Sequence, residues 1–176
     1  MKFYEALGLE PKLALDSEDL KKRFYDRSRQ WHPDRFSRGT PEQKQRSEEM
    51  TSALNDAFRT LRDPVSRAEY FLSESGLELP KDAPPDLLEE VFELNMALEE
   101  LRGGDESARE QLVSAQERFS SMLGEADASL AGLFGRYDET SDKALLDQVR
   151  ATLNHRKYVS NLLRDVEKEL NVHSAN

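Results

Sequence analysis

Apolar positions along this chain recur three and four residues apart, and no stretch alternates convincingly as a strand does, so the pattern predicts an all-α fold. "FYEALGL" predicts a short first helix with Tyr4 and Leu7 facing inward. Asp16 reads as the N-cap of a second helix, with Glu18 and Asp19 in its first turn and Leu20, Phe24 and Trp31 on one face. Pro33 stops that helix, because it lacks an N–H and disfavours helical geometry at the residue before it. Thr40, Pro41 and Gln43 make the next start signal, a capping box with proline at the first helical position. Met50, Leu54, Phe58 and Leu61 then form one stripe. Two helices joined by "HPDRFSRG" are expected to lie antiparallel, packing Phe24 and Trp31 against Leu54 and Phe58, with His32, Pro33 and Asp34 at the exposed tip. Asp63-Pro64 ends the third helix, and "PVSRAEYFLSES" supplies a fourth.

"GLELPKDAPP", with three prolines and a glycine, reads as a linker over 76–85 between a domain at 1–75 and another at 86–176. Three helices are predicted beyond it, near 86–102, 106–137 and 141–170. Gly103-Gly104 separates the first two, and 138–141 the last two. Leu112, Phe119, Leu123, Ala126, Leu130, Leu133 and Tyr137 make a near-heptad seam on one, while Val149, Leu153, Val159, Leu162, Val166 and Leu170 make a looser seam on the next. A three-helix antiparallel bundle satisfies both. Gly124, Gly132 and Gly135 weaken the middle helix and blur its end.

The helix "DLLEEVFELNMALEELR" carries two apolar stripes. At about 100° per residue, Leu87, Val91, Leu94, Leu98 and Leu101 share an arc of roughly 80° and suit the bundle core. Leu88, Phe92 and Met96 point roughly 140° away, beside an acidic wedge of Glu89, Glu93 and Glu100. This second stripe either packs on the N-terminal domain or stays exposed without consequence, or it is a partner site with an apolar centre and charged rim.

Charge divides the chain. The net charge of −10 argues against binding phosphate backbones, so no nucleic-acid partner is expected. Yet residues 20–38 carry Lys21, Lys22, Arg23, Arg27, Arg29, Arg35 and Arg38 against only Asp26 and Asp34, whereas residues 86–125 are strongly acidic. A positive end and a negative end suggest two different partners. The absence of cysteine removes disulfides, thiolate metal ligation and a cysteine nucleophile, and fits a reducing compartment. No run approaches the roughly 20 apolar residues of a membrane span, and "MKFYEALGL" reads as folded sequence rather than a signal peptide. A cytoplasmic or matrix-like protein with no membrane partner is expected.

His32 and Asp34 invite an acid/base or metal reading. Against it, His32, His155 and His173 lack ligand-like spacing, no glycine-rich phosphate loop exists, and Pro33 is expected to turn the two side chains apart. Neither an enzyme nor a cofactor or metal site is expected.

A basic helix, HPD at a hairpin tip, and an antiparallel helix ending "LNDAFRTLRDP" together resemble a J domain over residues 1 to about 75. "LRDPVSRAEYFLSESGLEL", the linker and the acidic bundle with "LLEEVFELNMALEEL" narrow the resemblance to the HscB family of iron-sulfur cluster co-chaperones, over essentially the whole chain. That resemblance implies a protein that stimulates ATP hydrolysis by a DnaK/HscA-type chaperone and delivers an IscU-type scaffold to it. It implies chaperone contacts at His32, Pro33 and Asp34 and at Lys21, Lys22, Arg23 and Arg27 of the basic helix. For the scaffold it implies Leu88, Phe92, Glu93, Met96 and Glu100, with Tyr158 as an aromatic on the last helix. Two positions depart from the family pattern: Glu89 replaces an apolar residue, and Met96 replaces an acid. The cysteine-bearing zinc extension of some eukaryotic relatives is absent. A J-domain protein with another client, or with a bundle that dimerises, is the alternative reading, and a His/Asp enzyme is the remaining one.

Overall fold

The computed structural model describes residues 1–174, with side chains described through Val172, so the His173 side chain considered above lies outside the described residues. Seven α-helices and no strand occur among them: α1 Lys2–Leu7, α2 Ser17–Trp31, α3 Pro41–Leu61, α4 Pro64–Glu74, α5 Leu88–Arg102, α6 Ala108–Thr140 and α7 Lys143–Ser174. Short 3-10 turns at Pro33–Phe36 and Pro85–Leu87 precede α3 and α5. The all-α expectation is met. The chain divides into two compact units, one of Met1–Glu78 with Phe134–Asp142, the other of Leu79–Leu133 with the chain from Lys143 onward.

In the first unit, local signals set the helix ends. Asp16 accepts the Asp19 N–H at 2.7 Å, Asp63 accepts the Ser66 N–H at 2.8 Å, and Thr40 and Gln43 close a reciprocal capping box. Tyr4, Leu7, Leu13, Leu20, Leu54, Leu61 and Leu72 are buried between α1, α2, α3 and α4. Phe24 stacks on Phe58 with centroids 4.3 Å apart, which ties α2 to α3. Trp31 stacks on Phe36 instead, within the turn.

The loop before α2 has no ladder partners, and side chains supply them. The buried Arg67 guanidinium donates to the carbonyls of Leu13 at 2.7 Å and Leu61 at 2.8 Å. Tyr4 donates its hydroxyl to the Lys12 carbonyl at 2.6 Å. The Asp138 carboxylate, at the end of α6, accepts the N–H groups of Leu13 and Ala14 at 2.9 and 2.8 Å. Burial lowers the Arg67 pKa and raises the Tyr4 pKa well above the ordinary phenol range, since each charged form loses hydration.

The second unit buries one apolar seam: Leu94, Leu98 and Leu101 of α5, Leu112 and Phe119 of α6, and Val159, Leu162 and Val166 of α7, with Leu87 from the preceding turn. α5 starts two residues later than the pattern suggests, because Pro85 begins a 3-10 turn. α6 runs to Thr140 through all three glycines. Their cost of about 1 kcal/mol each is offset by the burial of Ala126, Leu130, Leu133 and Phe134 around them. The helix ends at Ser141, whose φ of 55° is left-handed.

Candidate functional sites

The tip of the α2/α3 hairpin is built by what Pro33 takes away. Without its N–H, the Arg29 carbonyl loses its helical partner and accepts instead from the Arg35 guanidinium at 3.3 Å. His32 leaves helical geometry, with ψ at 131°, and its Nδ1 accepts the Asp34 N–H at 3.3 Å as the cap of the Pro33–Phe36 turn. The turn brings the Asp34 carboxylate back to 3.5 Å from His32 Nδ1, so the expectation that Pro33 turns these side chains apart is corrected. A 3-10 turn places residue 34 over the imidazole that caps it. The Asp34 side chain is nonetheless 92% exposed and His32 57%, so the pair faces solvent. No cluster of three or more metal-ligating side chains occurs among the described residues.

The basic face of α2 is partly committed within the first unit. Arg23 pairs with Asp19 at 2.8 Å and donates to the Gly8 carbonyl, while Lys21 lies 3.4 Å from Glu18. Arg27 is half-buried over Gly8, where its guanidinium occupies the space a Cβ would need. Lys22 is exposed and no ion pair to it occurs among the described residues.

Sequence reasoning missed how the tip is fastened. The Trp31 carbonyl, at the end of α2, accepts the Ser47 hydroxyl at 2.6 Å and the Thr51 hydroxyl at 3.3 Å. Arg46 lies over the Trp31 ring, 5.5 Å from its centroid. The available signal was a pair of hydroxyl residues four apart, on the α3 face that also carries Leu54.

In the second unit, Leu88, Phe92 and Met96 are exposed by 59, 66 and 47%, an unusual cluster on one helix face. Glu89, Glu93 and Glu100 are exposed beside them and form no ion pair among the described residues, whereas Glu90 pairs with Arg118 at 2.7 Å. Glu93 also edges a cleft of about 390 Å³ between α5 and α6, floored by Leu94, Ala97 and Ala115. Tyr158 is half-buried against the bundle core, and its hydroxyl donates to the Lys81 carbonyl at 2.8 Å. Asn154 holds the neighbouring Asp82 carbonyl at 3.2 Å, so α7 fixes the segment leading into α5. The stripe residues thus share an open face, while Tyr158 is already engaged.

An antiparallel helical hairpin that presents His-Pro-Asp at its tip beside a cationic helix defines a J-domain protein. Comparison agrees: the family described as "DnaJ domain" matches residues 2–70, and the family described as "HSCB C-terminal oligomerisation domain" matches residues 83–167. The chain belongs to the HscB family of J-domain co-chaperones. It is 29% identical to a co-chaperone protein HscB homolog of Vibrio vulnificus over 95% of each chain, and 27% identical to one of Shewanella loihica over 96% of each. Among solved structures it resembles chaperone HscB from Vibrio cholerae, with a TM-score of 0.66, 28% identity and 96% of each chain covered. The crystal structure of human co-chaperone protein HscB shares the fold, with a TM-score of 0.67, 22% identity, and coverage of 96% of this chain and 82% of the other. No helix among the described residues is long and apolar enough to cross a membrane.

Proposed function

We propose that this protein stimulates ATP hydrolysis by a DnaK/HscA-type chaperone and delivers an IscU-type iron-sulfur scaffold to it, without catalysing a reaction itself. His32, Pro33 and Asp34 engage the chaperone, and Lys21, Lys22, Arg23 and Arg27 orient the approach. The observation that carries this reading is a carboxylate 92% exposed on a turn with capped ends, next to a cationic helix in an acidic chain. Such a carboxylate is ready to pair with a partner arginine, and stimulation follows if that pairing favours the hydrolysis-committed chaperone state over the resting one. The scaffold sits on Leu88, Phe92 and Met96, rimmed by Glu93 and Glu100 and flanked by the ring of Tyr158. An apolar centre with unpaired carboxylates around it supports that assignment. The two tasks divide at the linker 76–85, and a reducing cytoplasm suits a chain without cysteine.

The test measures chaperone ATPase rate, with and without scaffold, for wild type and Asp34→Asn. Losing a charge-assisted contact of about 2 kcal/mol predicts a stimulation roughly 30-fold lower in the variant, with scaffold affinity unchanged. Equal stimulation by the two proteins would remove Asp34 from the mechanism. The description of the matched C-terminal family favours a second reading, self-association through the exposed stripe. Sedimentation at working concentration decides it: a dimer dissociated by Phe92→Ala supports the second reading, and a monomer leaves the stripe to the scaffold.

A further inference from the structure

We infer that Ser47 and Thr51 of α3 are positioning residues that set the direction in which the HPD turn leaves α2, and this rests on the chaperone contact proposed above. The helical partner of the Trp31 carbonyl would be the Arg35 N–H, but that group bonds to the His32 carbonyl at 3.0 Å. The Trp31 carbonyl is therefore released one residue before the motif. The two α3 hydroxyls take it, across 16 and 20 residues of sequence. Ser47 is fully buried on a face that includes the buried Leu54, where an alanine would pack without a polar atom to satisfy. Its 2.6 Å bond is the shorter, and Thr51 holds the same oxygen from one helical turn further on.

Two donors from one rigid helix fix the position of an acceptor better than one does, and the acceptor here belongs to the peptide that joins Trp31 to His32. Trp31 is further clamped by Phe36 at 5.9 Å and by Arg46. None of these groups belongs to the cationic patch, so the hydroxyls govern where Asp34 points rather than how strongly α2 attracts a partner. A small displacement of a positioned group costs rate more than affinity.

The experiment compares Ser47→Ala, Thr51→Val and their combination with the hydroxyl-keeping variants Ser47→Thr and Thr51→Ser, in the full chain. Maximal chaperone stimulation in the double variant is expected to fall roughly tenfold, the equivalent of one to two lost hydrogen bonds, with the half-saturating concentration within about twofold of wild type. Thr51→Ser is expected to stay near wild type. Trp31 is the chain's only tryptophan, so its fluorescence anisotropy reports on the turn with no partner present, and it should drop in the double variant while the helical circular dichroism is retained. Unchanged anisotropy and unchanged stimulation overturn the inference. So does a loss that merely tracks the fraction unfolded, or one that Thr51→Ser suffers as fully as Thr51→Val. If wild type itself gives no stimulation, the functional reading fails, and the anisotropy alone then decides whether the hydroxyls position the turn.

Discussion

The two units hold their exposed surfaces in place by different means. In the first, helices of 6 to 21 residues are joined by loops, and the loops are pinned by polar side chains bonded to main-chain groups: Arg67, Tyr4, Asp138, Ser47 and Thr51. In the second, an apolar seam aligns α5 with two helices of 33 and 32 residues, and the exposed stripe inherits its geometry from α5 alone. A turn has no ladder of its own, so presenting a tripeptide at a fixed angle needs a polar network. A helix face needs only that its other face be buried. Substitutions at the buried anchors of the first unit, Arg67 above all, should therefore damage structure and function together, whereas those on the α5 stripe should separate them.

Arg67→Met puts the greatest strain on this contrast. It keeps much of the volume but leaves the Leu13 and Leu61 carbonyls without donors in a buried setting, at about 1 to 3 kcal/mol for each group. We expect a loss of roughly 3 to 5 kcal/mol in the first unit, read by urea unfolding followed at Trp31. A loss under about 1 kcal/mol would mean that water replaces the guanidinium and that the polar network is dispensable.

Phe92→Ala tests the other half with a smaller effect. At 66% exposure the ring contributes little to the fold, so the unfolding midpoint should hardly move, while scaffold affinity measured by calorimetry falls by about 2 kcal/mol, roughly 30-fold. Adding Glu93→Lys should weaken binding further and leave stability alone. A midpoint that falls along with affinity would show that the stripe belongs to the packing of the bundle.

The same contrast explains what was legible in the sequence. Helices, caps and both seams came from spacing, because periodicity and capping are local: Asp16, the Thr40/Gln43 box and the opposed faces of α5 were all readable. That Leu88, Phe92 and Met96 lie off the bundle core followed once Leu94, Leu98 and Leu101 were assigned to it, whereas their exposure, as against packing on the N-terminal domain, needed the structure. The side-chain anchors at the two ends of α2 were not readable. Ser47 meets Trp31 across 16 residues, Arg67 meets Leu13 across 54, and Asp138 meets Leu13 across 125. Each looks like an ordinary surface residue until the fold brings it to a bare carbonyl or N–H. The commitment of Arg23 to Gly8, and of Tyr158 to Lys81, was hidden for the same reason. Even the 3.5 Å approach of His32 to Asp34 required the turn type, which the tripeptide alone does not specify.

The smallest effect distinguishes the polar interior of the first unit by pH. Tyr4 is buried against Arg67, and desolvation is the larger influence on it, raising its pKa despite the nearby cation. Its folded value lies above its unfolded value near 10, so the stability it contributes is complete below about pH 10 and is lost as pH rises further, at about 1.4 kcal/mol per pH unit. Tyr4→Phe forfeits the bond to the Lys12 carbonyl, about 1 kcal/mol at neutral pH, but removes this proton from the linkage. Tyr70, raised more modestly by burial, stays in both proteins and contributes equally to each. Unfolding curves at pH 8 should therefore favour wild type by about 1 kcal/mol, and the two should converge close to pH 11. Curves that stay parallel through pH 11 would show that the Tyr4 phenol ionises in place, and hence that water reaches the network holding the first unit's loops.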